Sequence, residues 1–92
     1  MKHQLIQVTW HDAHAVSETW TTRDDLDNEP CIVTSIGYLI AGVKANHVVI
    51  SQSIIMDESN HIDHVIAIPN GMVKRIDRLK VSTLLPLETI ND

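Results

Sequence analysis

CIVTSIGYLIAGVKANHVVISQSI, residues 31–54, is the stretch whose reading decides the fold. It holds two apolar runs separated by one short break. Ile, Val and Thr dominate residues 32–40 and 47–54, and β-branched side chains fit a pleated, half-buried surface better than a helix. Between the runs, Gly42-Val43-Lys44-Ala45-Asn46 contains a Gly and an Asn, which take the positive φ that a longer hairpin loop needs. The stretch predicts a central hairpin, the second and third strands of a small β domain.

On the N-terminal side, residues 5–10 place Ile6, Val8 and Trp10 on one face and Gln7 and Thr9 on the other, the period of a half-buried strand. Residues 11–30, HDAHAVSETWTTRDDLDNEP, lose that pattern and read as a polar, acidic connection with Val16, Trp20 and Leu26 as its anchors to the core. Thr22-Arg23-Asp24-Asp25 has the form of a capping box with Asp in place of Glu, which permits one helical turn over residues 22–27. Pro30 then leads into the second strand.

On the C-terminal side, Asp57-Glu58-Ser59-Asn60 ends the third strand. A fourth follows, with Ile62, Ile66 and Ile68 on one face and Asp63, Val65 and Ala67 on the other, and Pro69-Asn70-Gly71 stops it. Met72, Val73, Ile76 and Leu79 are spaced for one tight helical turn passing into a short last strand. The tail, VSTLLPLETIND, is too apolar for a disordered end. Val81, Leu84, Leu85, Leu87 and Ile90 are therefore expected to cover the core or a neighbouring subunit. The predicted core is Ile32, Ile36, Ile40, Val48, Ile50, Ile66 and Ile68, with Trp10 and Trp20 as its large pieces. Residues 1–92 read as one mainly β domain, a small, strongly bent five-stranded barrel with a short helical turn and an apolar C-terminal tail.

Ninety-two residues bury a thin core, which oligomerisation would supplement. A formal net charge of −5 gives no overall attraction for nucleic acid or anionic membrane. Cys31 is the single cysteine, so neither an intrachain disulfide nor a cysteine zinc cluster can form, and a reduced, cytosolic setting is expected. MKHQLIQVTW has no apolar signal core, and no run approaches the roughly eighteen apolar residues of a membrane span.

Histidine is the residue type in surplus for chemistry. His11 and His14, and likewise His61 and His64, form two pairs with the same spacing, and four imidazoles could hold zinc. Residues three apart on a strand point to opposite faces, so the pairs serve a metal only from a turn or helix; otherwise they are surface or loop histidines. Asp24, Asp25, Asp27 and Glu29 lack the Gly and spacing of an EF-hand and read as a solvated loop. Lys74, Arg75, Arg78 and Lys80 are four of the seven basic residues, and a strand would put Lys74, Arg78 and Lys80 on one face. That stripe could meet the phosphates of a nucleotide, as a small anionic ligand, or of a nucleic acid, or it could simply guard a strand edge. Catalytic sets are not legible. Cys31 sits in an apolar strand, Ser51 and Ser53 have no evident base, and Asp12 with His14 is the nearest approach to an acid–base pair.

Gly37-Tyr38-Leu39-Ile40, Asn46-His47-Val48-Val49-Ile50, Val65-Ile66-Ala67-Ile68-Pro69 and Met72-Val73-Lys74-Arg75-Ile76 together resemble the strand order of SH3-like and Sm-like small barrels. In that group a Gly bends the second strand and a short turn separates strands four and five. Lys44-Ala45-Asn46-His47 stands where the Sm family carries its RNA-contacting residues, which disfavours nucleic acid. Val8-Thr9-Trp10-x-Asp12-Ala13-His14, Trp20, Cys31-x-Val33-x-Ser35-x-Gly37-x-Leu39 and Ile68-Pro69-x-Gly71-Met72-Val73 resemble a group of short bacteriophage and prophage proteins. That resemblance implies a phage accessory protein in the host cytoplasm. The expected function is a non-enzymatic, homo-oligomeric binding module without a cofactor, sequestering a nucleotide signal of host defence or blocking a host protein. An Sm-like nucleic-acid binder and a small metal-dependent enzyme built on the four histidines are the alternatives.

Overall fold

The computed structural model describes residues 3–13, 19–26 and 29–87. Five strands, β1 (Leu5–Asp12), β2 (Cys31–Leu39), β3 (His47–Ile54), β4 (Ile62–Pro69) and β5 (Val73–Arg78), form one antiparallel sheet in the order β4-β3-β2-β1-β5. Among the described residues helix is confined to two 3₁₀ turns, Arg23–Asp25 and Asn70–Met72, and no helix is long and apolar enough to cross a membrane. The chain is mainly β, as its β-branched runs require.

β1 is paired along both sides, with β2 and β5, and its alternation is the one expected: Ile6, Val8 and Trp10 are buried while the residues between them are half-buried. Antiparallel partners share a face, so Val33 opposite Trp10 and Ser35 opposite Val8 also turn inward. The Trp10 indole N–H donates to Ser35 Oγ at 3.0 Å, which satisfies the one polar group that the ring carries into the core. Ile50 from β3 and Ile68 from β4 complete the buried cluster, with Val33, Leu39, Val48, Met72 and Val73 packed around it. Each fully buried aliphatic side chain there stabilises the fold by about 1.5–3 kcal/mol.

The sheet is strongly curled. Its edge strands β4 and β5 are joined through the 3₁₀ turn Asn70–Met72 alone. Five strands laid flat would hold the two edges about 19 Å apart. Four residue steps reach at most about 14 Å, and a 3₁₀ turn reaches less. The edges must therefore approach each other at this end, and the turn packs against β1. β4 and β5 do not pair, so the sheet is rolled but not closed.

Gly37 admits the close approach of β3 to β2. A Cβ there would stand 2.8 Å from the Ser51 carbonyl oxygen and 3.3 Å from Ile50 Cβ, so β3 can cross β2 only because residue 37 has no side chain. Pairing between the two strands is short: Tyr38 opposite Ser51 and Leu39 opposite Ile50, followed by the Ile40 N–H donating to the Val49 carbonyl at 2.9 Å. The N-terminal half of β2 and the C-terminal half of β3 then diverge, bridged by Gln52 Nε2 donating to the Ile36 carbonyl at 2.7 Å. Gly42 and Asn46, at φ 74° and 60°, turn the connecting loop as the sequence anticipates.

Several expectations are corrected. Ile50 and Ile68 are buried, but Ile32 (49% exposed), Ile36 (46%) and Ile66 (37%) are not, and Ile40 and Val48 are half-buried. β2 faces the other way from the isoleucine spacing because its inward positions are Val33, Ser35, Gly37 and Leu39, small where Trp10 and β3 need room. Trp20, 98% exposed, and Leu26 do not anchor the connection, and Val16 is outside the described residues. Thr22 Oγ1 bonds Asp25 Oδ2 at 2.8 Å without capping a backbone N–H, and the helical turn there covers only Arg23–Asp25; Asp27 is outside the described residues. The second turn begins two residues earlier than expected, on Asn70, and ends at Met72. Residues 81–87 have neither helix nor strand, and Leu84, Leu85 and Leu87 are 81, 84 and 79% exposed; Ile90 is outside the described residues.

The turn after β3 yields a pH prediction. Asp57 Oδ1 accepts the Ser59 N–H at 2.8 Å, and hydrogen bonds from the Ser59 side chain and backbone hold its carboxyl below the ordinary carboxylate range. A depressed carboxyl stabilises above its unfolded pKa and stops doing so as pH falls through its folded value. The Ser59 amide resonance should therefore be insensitive from neutral pH down to the carboxylate range and should shift and exchange faster below it. Asp57→Asn should remove that titration, and its persistence would show another group to be responsible.

Candidate ligand-binding site

A pocket of about 510 Å³ opens where three stretches of chain converge. His3 and Gln4 lead into β1, Leu39 ends β2, Ile40, Ala41 and Val43 belong to the β2–β3 connection, Asn60 precedes β4 and Ile62 begins it. Among the described residues the wall is apolar apart from His3, Gln4 and Asn60. Asn60 reaches its place through a left-handed backbone, φ 57°, which Asn tolerates better than most residues. Gln4 ties the site to the end of β5: its Nε2 donates to the Leu5 carbonyl at 3.1 Å and lies 3.5 Å from the Leu79 carbonyl. The Leu79 N–H in turn donates to the Leu5 carbonyl at 2.9 Å, so the chain leaves β5 beside Gln4, one residue before Lys80.

The expected basic stripe is less regular than simple alternation makes it. Lys74 and Arg78 are exposed on β5, and Lys80 is exposed two residues beyond its end. A register shift opposite Thr9 and Trp10 leaves Lys74 without a partner on β1, a β-bulge that breaks the alternation between Lys74 and Arg78. Arg75 is engaged with Asp77, Nε to Oδ1 at 2.8 Å, an exposed pair that contributes little to stability. Lys74, Arg78 and Lys80 make no ion pair among the described residues, which leaves their charges available to a ligand.

The histidines do not converge. His11 is in β1 opposite Ile32, while His61 precedes β4 and His64 lies within it, with β2 and β3 between them in the sheet. His64 takes φ 53° and bonds its own neighbour, its N–H donating to Asp63 Oδ1 at 2.9 Å and Nδ1 lying 3.2 Å from Asp63 Oδ2. His14 is outside the described residues. Among the described residues no three His, Cys, Asp or Glu side chains gather as metal ligands. Ser51 is buried, and its Oγ lies 2.8 Å from the Ser53 carbonyl and 2.9 Å from that of Asp63, partners that hold the β3–β4 hairpin rather than activate a nucleophile.

The pocket was not legible in advance, since its described lining residues come from separate parts of the sequence that the roll of the sheet brings together. The signal closest to it was the positive-φ pair of loops, Gly42 to Asn46 and Asn60. No known family's model, no curated protein and no solved structure matches the chain.

Proposed function

We propose that this chain is a non-enzymatic binding module that acts by occupancy, holding a small anionic ligand of the nucleotide class in the pocket beside Gln4. The observation that carries the reading is the pocket itself. Its volume of about 510 Å³ is within the range of small-molecule sites, and its apolar wall meets three polar side chains next to the segment bearing Arg78 and Lys80. A base-sized ring would lie against Leu39, Ile40 and Ile62, with the amides of Gln4 and Asn60 available to its polar edge. A phosphate extending from that ring would meet the lysine and arginine charges at the end of β5.

The phage resemblance favours a setting in a host cytoplasm, where holding a nucleotide would withdraw a signal of host defence. The rolled sheet is read as a small barrel of the SH3-like or Sm-like kind. The strand order, the bend at Gly37 and the single turn between β4 and β5 support that reading. The exposed leucines of the tail support a homo-oligomer.

Calorimetric titration with nucleoside monophosphates and cyclic dinucleotides tests the ligand class. At least one of these probes should bind at micromolar concentration. Arg78→Glu with Lys80→Glu should weaken that binding about tenfold or more, a loss of about 1.4 kcal/mol. Both side chains are exposed, so the same variant should keep its stability within about 0.5 kcal/mol. Lys74→Glu, beyond the bulge, should have the smaller effect on affinity. No heat with any probe at millimolar concentration would overturn the proposal, and unchanged affinity in the double variant would discard the basic residues as phosphate partners.

A further inference from the structure

Backbone hydrogen bonds identify which groups of β2 have no partner. The Leu39 N–H donates to the Gln4 carbonyl, so the odd residues of β2 exchange hydrogen bonds with β1 and the even ones turn to the opposite edge. Ile40 bonding to Val49 and the Ile36 carbonyl accepting from Gln52 confirm that alternation. Where β3 diverges, the N–H and C=O of Ile32 and Thr34 and the N–H of Ile36 therefore face an open edge among the described residues.

The open edges of the sheet differ in charge. β4 carries Asp63 and His64, and β5 carries Lys74, Arg75, Asp77 and Arg78, the kind of side chain that protects an edge from pairing. β2 carries none from Cys31 to Leu39. Residues 81–87, VSTLLPL, are likewise uncharged, and Leu84, Leu85 and Leu87 are about four-fifths exposed in the single chain. An unprotected edge and an uncovered apolar arm occur in one molecule.

We propose that two copies exchange these arms, residues 81–87 of each adding as an antiparallel strand to the open edge of β2 in the other. Proline selects the register. Pro86 has no N–H to offer, so the odd residues Thr83, Leu85 and Leu87 must face the edge and Pro86 must face away from it. With Leu85 opposite Thr34, Leu87 falls opposite Ile32 and Thr83 opposite Ile36. Hydrogen-bonded partners share a face, so Leu85 and Leu87 would cover the side on which Ile32 and Ile36 are exposed. Four apolar side chains per arm, each removing about 100 Å² from water, with an equal area covered on the acceptor, come to about 1,600 Å² over two arms, the size of a standard stable interface. The proposal rests on the homo-oligomeric part of the reading above and supplies its interface.

Sedimentation of the full chain tests it alongside two variants. The arm variant is Leu84→Ser with Leu85→Ser and Leu87→Ser; the edge variant is Ile32→Lys with Thr34→Lys. The parent should dimerise at micromolar concentration, and each variant should associate about tenfold or more weakly. An equimolar mixture should associate better than either variant alone, because one intact arm then meets one intact edge. Amide exchange needs no edge variant: the Ile32 and Thr34 amides should become protected as the parent is concentrated and should stay exposed in the arm variant. A parent-like dimer in the arm variant would overturn arm exchange while leaving a homo-oligomer. A full chain that stays monomeric at high concentration would overturn both.

Discussion

Ile50→Ala should lower the stability of the chain by about 2–5 kcal/mol, the range for truncating a fully buried isoleucine to alanine. Ile50 is 1% exposed and lies opposite Leu39, one of the two registered pairs that join β2 to β3. Its loss would leave a cavity at the junction holding the two halves of the sheet together. A chain of this size is stable by only about 5–14 kcal/mol, so the melting point should fall by roughly 10–30 °C. Ile66→Ala, at a position 37% exposed on the same face of β4 as Ile68, should cost about 1 kcal/mol. Thermal melts followed by circular dichroism compare the two directly. An Ile50→Ala chain that melts within a degree or two of the parent would refute the assigned core.

Gly37→Ala should cost about 1–3 kcal/mol, and Gly37→Val more, although both replace a glycine by a residue with higher strand propensity. Propensity loses here to contact. The added Cβ would meet the Ser51 carbonyl oxygen at 2.8 Å, and that oxygen belongs to backbone already committed to pairing. Relief requires β3 to move off β2, which breaks the short registered stretch between them. Urea unfolding measures the loss. A Gly37→Ala variant as stable as the parent would mean that the strands do not cross at this distance.

How far the sequence disclosed the fold depends on what each strand shows its neighbours. β1 was legible because one face is covered and the other partly solvated, which writes a clean period of two into Ile6, Val8 and Trp10. β2 was misread in its facing because hydrophobicity and burial part company there. The isoleucines lie outward, while Ser35 is inward to accept from the Trp10 indole and Gly37 is inward to admit β3. The bulge at Lys74 leaves no mark in composition, so a regular alternation was drawn through it and joined Lys74 to Arg78 and Lys80. Turn chemistry was more dependable, since Gly42 and Asn46 adopt the left-handed backbone their loop requires. The pocket depended on curvature, which no local window reports.

The pairing of β1 with β5 has a kinetic consequence. Ile6 lies opposite Arg78, so β1 acquires its second neighbour from nearly the whole length of chain away. Loop closure of that span precedes any return from the contact, and sheets built on such distant pairs fold in roughly milliseconds to seconds rather than microseconds. The two local hairpins, β1 with β2 and β3 with β4, can form early. Each has few buried side chains of its own, because the core draws on β1, β3 and β4 together. The rate-limiting step should therefore be the docking of these hairpins with β5, and β1 remains an open template until that strand arrives.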